Sequence, residues 1–444
     1  MSNLTERGGE SGGPAFSAAR RAYVIGLLTL IYTFAFVDRQ IINILAEPIK
    51  HDLDLADWQM GAMSGFAFAL LYTVLGLPIA RYAERGNRPV IVAVSLAVWS
   101  GFTALSGLAT SFVHILVARV GVGIGEAGCV PPAHSLISDI TPKEKRAGAL
   151  AIFSAGLPLG SLFGMALGGI VAATYGWRMA FFLVGVPGLL LALILLFTVR
   201  DPRRTLTSGA PVTADVPPLS SALRLLWQRR SFAWLVAGAS MISFSGYSHQ
   251  AFYGSFFLRN HKGALDALSG MLGFAGTIAF LGLMLGLIIG ITGTLGTALG
   301  GRLSDRHARQ ERGGYLIIPI WATLASVPFL AAAFLLDNVT LAFAVLAVSY
   351  FLKSMWYGPI FASVQGLVDP RTRATAVAIF LLIVNVVGLG FGPLLAGAMS
   401  DFFAAHYGPA EGLRYAMLVF TFFLTVAAFC FARARRTLAT DMVS

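Results

Sequence analysis

Charged residues are scarce in this sequence. Asp, Glu, Lys and Arg make up 12% of the 444 residues, against roughly a quarter of an average soluble domain. Hydrophobic residues make up 57%, and apolar stretches of about 20 residues, each long enough to cross a bilayer as a helix, recur along almost the whole chain. Alternation with a period of two residues is absent, so strands are not predicted. The composition therefore excludes an ordinary soluble domain and predicts an all-α membrane protein.

Cysteine is nearly absent, and so are the motifs of common enzymes. The two cysteines, Cys129 and Cys430, lie within apolar stretches, so neither supports a disulfide framework, a thiol nucleophile or a metal site. No HEXXH or GXSXG motif is present, and His134, Ser135 and Asp139 have a spacing that does not aim three side chains at one point. We therefore do not expect a membrane-embedded enzyme. A Walker motif is also missing, so this chain alone is not expected to be driven by ATP.

Twelve apolar stretches are predicted to be membrane-spanning helices. They form two groups of six, at about 21–199 and 231–434, joined by a polar, Pro-rich linker at about 200–230 and flanked by tails at 1–20 and 435–444. The eighth stretch reads either as one span or as a span with an apolar lead-in. The twelve lie at about 22–47, 57–79, 89–108, 112–135, 147–172, 178–199, 231–257, 270–299, 314–336, 339–363, 373–400 and 411–432.

Basic residues are distributed unevenly among the connections. Of the 32 Lys and Arg residues, 24 lie in the termini and the even-numbered connections, 5 in odd-numbered connections and 3 within helices. Cytoplasmic loops of membrane proteins carry such an excess. Both termini are therefore predicted to be cytoplasmic, and the net charge of +11 requires no nucleic acid as a partner. Because arginine, alanine and glycine are frequent and lysine is rare, we expect a bacterial inner membrane protein.

Two charged islands repeat along the chain. Residues 80–88 read ARYAERGNR, and residues 301–309, which lie 221 positions further on, read GRLSDRHAR. Each island follows the second helix of its group of six. Parallel repeats of this kind suit a transporter whose halves rock about a central site, so two six-helix bundles are predicted. The matched charged positions are Arg81, Glu84, Arg85 and Arg88 in the first island and Arg302, Asp305, Arg306 and Arg309 in the second.

These islands and the 6 + 6 layout resemble the major facilitator superfamily over essentially the full chain. The resemblance implies a secondary transporter that functions as a monomer in the bilayer. It also implies that the islands form a cytoplasmic gate, in which each carboxylate lies near helix ends of the other half. The family's usual Asp is Glu84 here, and its leading Gly is Ala80. The first island is therefore expected to pack less tightly than the second.

Four ionisable residues stand within the first and fourth helices: Asp38 and Arg39 in FAFVDRQIIN, and Arg119 and Glu126 in ARVGVGIGEAG. A charge at the bilayer centre costs about 2.5–3.5 kcal/mol on insertion scales, so these residues need partners. Arg119 and Glu126 are seven positions apart on one helix face, roughly 10 Å along the axis, which leaves room for Asp38 between them. One interpretation is an ion pair that only fixes the two helices. The other is proton coupling, in which an arginine approaches a carboxylate in one state and releases its proton.

Within the superfamily, the chain resembles the Spinster group. The resemblance rests on the Asp38-Arg39 pair, the run RVGVGIGEA and the following SLISDITPKEKRAGALAIF. It implies transport of a lysophospholipid or a sphingosine-type lipid, with Asp38 and Glu126 as proton sites, Arg39 and Arg119 as their charge partners, and no cofactor beyond the coupling protons. The GEA-type fourth helix also occurs in sugar-acid and organic-anion symporters. That substrate class therefore stays open, as does a multidrug exporter.

The second half offers candidates for an amphiphile cavity. Lys353 in SYFLKSMWYGP could pair with a phosphate, and nearby aromatic residues could line an apolar space. Each candidate also has a structural interpretation. His249 could be a hydrogen-bonded structural histidine, and Trp356 and Tyr357 could belong to an interfacial aromatic belt. Asn385 could make an interhelical hydrogen bond. The predicted cavity residues are Tyr247, His249, Tyr253, Lys353, Trp356, Tyr357 and Asn385.

Overall fold

The computed structural model describes residues 17–204, 226–369 and 372–442, and every regular element in these ranges is helical. Eleven helices in the described ranges are long and apolar enough to cross a membrane. Another helix of 31 residues, Arg230–Asn260, carries several polar residues in its middle. In chain order, α1 to α12 are Ala18–Ile44, Asp57–Gly76, Arg88–Ser106, Phe112–Ile140, Gly148–Tyr175, Trp177–Thr198, Arg230–Asn260, Thr277–Ala308, Gly313–Leu335, Val339–Gly366, Thr375–Tyr407 and Pro409–Asp441.

The predicted all-α membrane fold is confirmed, and the differences concern helix ends. The apolar lead-in to the eighth span begins in a separate short helix, Lys262–Met271. The chain then turns at Gly273, where φ is 70°, and α8 begins at Thr277. The helix that contains the α2 span continues past Gly76 to Arg85, because helical hydrogen bonding does not end where hydrophobicity does. Most of the predicted linker and of the first tail lie outside the described residues.

Helices α1–α6 and α7–α12 form two bundles whose irregularities repeat. Helices α2 and α8 each contain one π-helical turn, at Ala62–Phe66 and Ile288–Thr292. The α5–α6 and α11–α12 turns use the same left-handed backbone conformation, with φ 82° at Gly176 and φ 83° at Gly408. Glycine adopts this conformation without steric cost. The duplication read from the charged islands therefore extends to backbone details that no charge pattern encodes.

Glycines on α5 bring α1 close enough to face the interior of its bundle. A Cβ atom at Gly160 would overlap the carbonyl oxygen of Thr33, and a Cβ at Gly164 would lie 2.8 Å from the carbonyl oxygen of Val37. Small residues at such crossings let helices pack backbone to backbone in a membrane. The close packing fixes the part of α1 that directly precedes Asp38, the first residue of the charged pair.

The two bundles pack on each other through α2 and α11 and through α5 and α8, where a Cβ at Gly282 would overlap the carbonyl oxygen of Met165. We call the end that carries the islands 80–88 and 301–309 the basic end, and the end that carries the connection between α1 and α2 the opposite end. At the opposite end, α2 packs on α11 so closely that a Cβ at Gly61 would overlap the carbonyl oxygen of Pro393. At the basic end, Arg81 and Arg302 are exposed. The molecule is therefore closed at the opposite end, whereas these arginines of the basic end are exposed.

Candidate functional site

Two ion pairs join α1 to α4 in the interior of the first bundle. Asp38 accepts hydrogen bonds from Thr103 Oγ1 at 2.7 Å and from Arg119 Nη1 at 3.2 Å. Arg39 donates to a single oxygen of Glu126, with Nε 2.6 Å and Nη2 2.5 Å from Oε2. The side chains of Asp38, Arg119 and Glu126 are at most 1% exposed. Each of these four charges therefore has a partner of opposite sign, which offsets the cost of burying it.

The pairing differs from the expectation that Asp38 lies between Arg119 and Glu126. Asp38 pairs with Arg119, and its neighbour Arg39 takes Glu126. Successive helical residues project about 100° apart, so adjacent positions on α1 can reach two positions two turns apart on α4. Aromatic rings surround the Arg39 guanidinium, whose carbon lies 4.6 Å from the Phe68 ring centroid. The structure thus brings all four predicted residues together, in a different pairing.

Each ion pair leaves one polar atom unsatisfied. Within the described residues, Glu126 Oε1 and Arg119 Nε are buried and have no hydrogen-bond partner. An unpaired buried polar atom loses its hydration without compensation, and such atoms in native structures call for an explanation. These two atoms are therefore positions where a proton or a ligand group can bind.

A small cavity between the two bundles lies beside the ion pairs. The Gln250 amide of α7 donates to Gln40 Oε1 of α1 at 3.0 Å, and Asn43 Nδ2 donates to the same oxygen at 3.2 Å. This polar contact crosses from one bundle to the other. The cavity is lined by Phe36, Arg39, Gln40, Asn43, Ser64, Phe68, Arg119, Tyr247, Gln250, Ala251, Leu389 and Pro393.

Only the arginines of the two ion pairs line this cavity. Arg39 and Arg119 line it, whereas Asp38 and Glu126 are not among the lining residues. The Arg39 side chain is 18% exposed and that of Glu126 only 1%. The carboxylates therefore lie behind the guanidinium groups, and the cavity presents cationic and amide donors.

Two of the predicted cavity residues lie elsewhere. Tyr247 lines the cavity, but His249 and Tyr253 are buried within the second bundle. His249 Nε2 lies 2.9 Å from the carbonyl oxygen of Met417 on α12. At about 100° per residue, positions 247 and 250 share one face of α7, and positions 249 and 253 share the other. Of the three predicted residues of α7, Tyr247 is among those that line this cavity, and the substrate roles of His249 and Tyr253 remain predictions.

The remaining predicted cavity residues surround irregular parts of α10 and α11. Lys353 is buried, its Nζ has no hydrogen-bond partner among the described residues, and it lies 4.8 Å from the Tyr350 ring centroid. Trp356 is half-buried and Tyr357 is 45% exposed. Asn385 is half-buried at the start of a π-helical turn. None of the four predicted residues is among those that line the cavity, so their substrate roles remain predictions.

An ion-pair network that the sequence did not predict joins the bundles at the opposite end. Arg259, at the end of α7, donates to both oxygens of Glu47 at 2.8 and 3.0 Å and to both oxygens of Asp57 at 2.7 and 2.8 Å. Asp401 of α11 accepts from two backbone N–H groups at the start of α2, at 3.0 and 2.8 Å. We call Arg259, Glu47, Asp57 and Asp401 the opposite-end latch.

One feature of the sequence could have indicated this latch, namely charged residues at the ends of the spans. Odd-numbered connections contain few basic residues, yet Glu47, Asp57 and Arg259 all stand at the ends of predicted spans bordering them. Charges so placed are ordinarily solvated. Their contact joins positions more than 200 residues apart, and a pattern in a single sequence does not encode such pairing.

At the basic end, Arg88 has an intrabundle role. Its Nη2 lies 2.6 Å from Asp201 Oδ1 and its Nη1 lies 2.6 Å from Asp139 Oδ2, which ties the start of α3 to the end of α4 and to the segment after α6. Burial alone would raise the pKa of Asp201, but hydrogen bonds from the Arg88 side chain and backbone hold that pKa below its ordinary value. Arg88 therefore stabilises one bundle in this state.

Among the side chains that the structure describes, the other gate residues form no ion pair between the bundles. The side chains of Glu84 and Arg85 lie outside what the structure describes. A gate between the halves would form when the basic end closes, so it remains a prediction. The described and exposed members are Arg81, Arg302, Asp305, Arg306 and Arg309.

Residues 28–385 match the family model of the Major Facilitator Superfamily. The chain belongs to the major facilitator superfamily. This superfamily protein is thus an integral, multi-pass membrane protein and a secondary transporter rather than an enzyme.

Relatives extend the match over nearly the whole chain. An MFS-type efflux pump of Mycolicibacterium smegmatis is 35% identical over 425 residues, 96% of this chain and 95% of that protein. A hexuronate transporter of Bacillus subtilis is 24% identical, over 85% of this chain and 87% of its own. A crystal structure described as a bacterial homologue of the human lysosomal transporter Spinster, inward-facing and unoccupied, superposes with a TM-score of 0.85 at 32% identity, covering 98% of this chain and 100% of that chain. This superfamily protein is therefore Spinster-like.

Proposed function

We propose that the protein is a proton-coupled secondary active transporter that moves an amphiphilic lipid, of the lysophospholipid or sphingosine type, by alternating access. The observation that carries the proposal is the pair of buried contacts Asp38–Arg119 and Arg39–Glu126 beside a cavity between two bundles. Charges within a membrane are expensive and usually serve a substrate or ion pathway. Asp38 and Glu126 are the proposed proton sites, and Arg39 and Arg119 are their charge partners.

The orientation follows from the distribution of basic residues. An excess of Lys and Arg marks the cytoplasmic side, so we take the basic end and both termini as cytoplasmic, in a bacterial inner membrane. The state described here is then inward-facing. The similarity to a solved Spinster homologue described as inward-facing supports this assignment. We propose that the monomer is the functional unit.

The lipid substrate is supported by the mixed character of the cavity, where Phe36, Phe68 and Leu389 lie beside amides and arginines. An amphiphile matches such a lining with its acyl chain and its head group. The alternative is a sugar-acid or organic-anion symporter, which the two cavity arginines favour equally and which the similarity to a hexuronate transporter supports. A multidrug exporter is a further alternative, supported by the similarity to an efflux pump.

Flux in proteoliposomes tests the proposal. The vesicles receive labelled lysophospholipid, glucuronate or a lipophilic dye, with and without an imposed pH gradient. We expect gradient-driven lipid flux that is lost in Asp38→Asn and retained in the exposed control Glu144→Gln. Gradient-driven flux of glucuronate alone would move the substrate class to organic anions, and flux of the dye alone would favour a multidrug exporter. Absence of gradient-driven flux for all three would refute proton-coupled transport.

A further inference from the structure

Lys353 is a buried lysine in the interior of the second bundle. It ends the regular first part of α10, the 15 residues Val339–Lys353, and a 3₁₀ turn follows at Ser354–Trp356. Roughly 20 Å of helix separate it from either end of α10. The residue is 6% exposed, and within the described residues its Nζ has no hydrogen-bond partner. An ammonium group has three donors and no acceptor, so this side chain presents unused donors and a positive charge.

No acidic side chain in the described part of the chain compensates this charge. The acidic residues of α7–α12 all stand within about two turns of a helix end. In the first bundle, Asp38 and Glu126 already pair with arginines. Those two pairs are neutral as a whole, so Lys353 leaves one uncompensated positive charge in the interior. The acidic residues of α7–α12 are Asp305, Asp401, Glu411 and Asp441.

An aromatic ring compensates the ammonium group only in part. Nζ lies 4.8 Å from the Tyr350 ring centroid, and the negative face of the ring attracts a cation. This attraction is weaker than the hydration that burial removes. His249 of α7 is close enough for an electrostatic interaction with Lys353, but its Nε2 already lies 2.9 Å from the carbonyl oxygen of Met417. The surroundings of Nζ therefore supply no anionic partner.

Gly246 of α7 leaves space in front of the ammonium group. A Cβ atom at this position would be 4.0 Å from Lys353 Nζ, and apart from neighbouring residues of α7 no other described atom would lie within 4 Å of it. The next residue, Tyr247, lines the cavity between the bundles. The ammonium group and the cavity thus border the same turn of α7, and a ligand in the cavity can extend beside Tyr247 to Lys353.

We infer that Lys353 is a ligand-binding residue, whose ammonium group binds a phosphate or carboxylate group of the transported molecule at a subsite in the second bundle. The inference rests on the proposed transport function and adds a binding residue and the charge of the ligand group that it recognises. A phosphate or carboxylate supplies the negative charge and the acceptors that the surroundings of Nζ lack. A lipid head group and a free sugar acid both carry this chemistry, and binding of matched pairs of ligands separates the two sources.

Calorimetry of the purified full chain, without a pH gradient, measures this binding. Lysophosphatidylglycerol is compared with a monoacylglycerol of the same acyl chain, which lacks the phosphate, and glucuronate is compared with glucose. In at least one pair, we expect the anionic ligand to bind more tightly than its uncharged counterpart. A preference for lysophosphatidylglycerol identifies a lipid head group, and a preference for glucuronate identifies a small anion.

Substitutions at Lys353 test whether the preference comes from its ammonium group. Lys353→Met removes the charge and keeps an unbranched side chain. The dissociation constant of the anionic ligand should then rise about tenfold or more, as expected for the loss of a charged hydrogen bond, while the uncharged counterpart binds as before. Lys353→Arg keeps the charge and should keep part of the preference. The exposed Lys262→Met is the matched control and should behave like the unchanged protein.

Melting temperature separates ligand binding from a structural role. Lys353→Met removes an uncompensated buried charge, so the ligand-free variant should melt at a higher temperature than the unchanged protein, whereas a structural role predicts a lower one. Stabilisation by the anionic ligand, which follows from its binding to the folded state, should be lost. If Lys353→Met does not fold, Gly246→Leu provides the test, because leucine fills the space in front of the ammonium group and should weaken anion binding with the charge in place.

Equal affinity of Lys353→Met and the unchanged protein for the anionic ligands would overturn the inference, and an uncharged amine at Lys353 would give this result. Equal weakening of the uncharged counterpart would also overturn it, because the substitution would then have disturbed the cavity as a whole. The absence of a preference for the anion in both pairs would overturn it as well. Each of these results leaves gradient-driven flux intact. Loss of all gradient-driven flux in the unchanged protein would instead refute the proposed function, so the two failures are distinguishable.

Discussion

Replacing Arg259 with glutamine is expected to open the opposite end of the molecule. Arg259 bridges the bundles through four hydrogen bonds of 2.7–3.0 Å to Glu47 and Asp57. The three side chains are 8%, 9% and 1% exposed. These contacts break when the bundles separate at this end, so they stabilise only the state that is closed here. Their loss therefore shifts the equilibrium between states, which a contact within one bundle would not do.

The size of the shift follows from the burial of the latch. Removing one partner of a buried ion pair costs about 3–5 kcal/mol. We take the lower value, because Lys50 also contacts Asp57 and keeps part of its charge compensated after the substitution. A difference of about 3 kcal/mol changes the ratio of the two states roughly 150-fold. A closed state that dominates in the unchanged protein should then share the population with the open one.

Distances between spin labels measure this population. Labels on the exposed positions Asp54 and Lys262 place one probe on each bundle at the opposite end, in a background where Cys129 and Cys430 are replaced by alanine. We expect a second, longer distance between the two labels in Arg259→Gln. Arg259→Lys should show a smaller population at that longer distance.

The matched control for this experiment is Arg414→Gln. Arg414 pairs with Glu411 three residues away on α12 and joins no second bundle. Its replacement should leave the distance distribution unchanged. The same distribution in Arg259→Gln and in the unchanged protein would refute the latch, and an equal shift in Arg414→Gln would show that any charge lost at this end has the same effect.

Three further predictions follow from the contacts at the basic end and along α7. Asp305→Asn should decrease the fraction open at the opposite end, because it weakens the gate that closes the basic end; cysteine labelling at both ends identical to that of the unchanged protein would contradict this. Asp201→Asn removes a buried partner of Arg88 and should lower stability by about 3 kcal/mol, seen as a lower melting temperature. Since the pKa of Asp201 is held below its ordinary value, its contribution is full above that value and should fade as pH falls through the lowered pKa. Gln250→Leu should weaken substrate binding, whereas His249→Gln should lower melting temperature and leave the dissociation constant nearly unchanged; the reverse result would place His249 at the cavity.

Local patterns in the sequence were sufficient to predict the fold and the four charged residues between α1 and α4. Twelve apolar stretches specify helices because each must satisfy its backbone within the bilayer. Asp38, Arg39, Arg119 and Glu126 stand out because almost every neighbour is apolar, and partners for such charges have to be found among one another. Their pairing depends on the rotation of α1 against α4, which the glycines of α5 set through packing.

The cavity lining was only partly predictable. Tyr247 and His249 are both conspicuous in SGYSHQAF, but which face of α7 points inward depends on contacts with α12 and α1. Gln40 and Asn43 lie directly after the charged pair and attracted no prediction, because uncharged amides are common in membrane helices as interhelical contacts. Gln250 donates to Gln40 across the bundles and Asn43 donates to the same oxygen, which gives both residues a role that spacing alone does not reveal.

Two helices connect the cavity to the opposite-end latch. Helix α1 carries Arg39 and Gln40 and leads directly to Glu47, while α7 carries Gln250 and ends at Arg259, roughly 13 Å further along its axis. The Gln40–Gln250 contact and the Arg259 latch therefore join the same pair of helices at two depths, and both have to break before the molecule opens at the opposite end. A ligand shifts this equilibrium only by its difference in affinity for the two states. A ligand that competes for these amides weakens the inner contact, but the latch still opposes opening by about 3 kcal/mol. The binding of substrate and proton together must supply that free energy. Weakening the latch should therefore make opening of the opposite end less dependent on substrate and on protons.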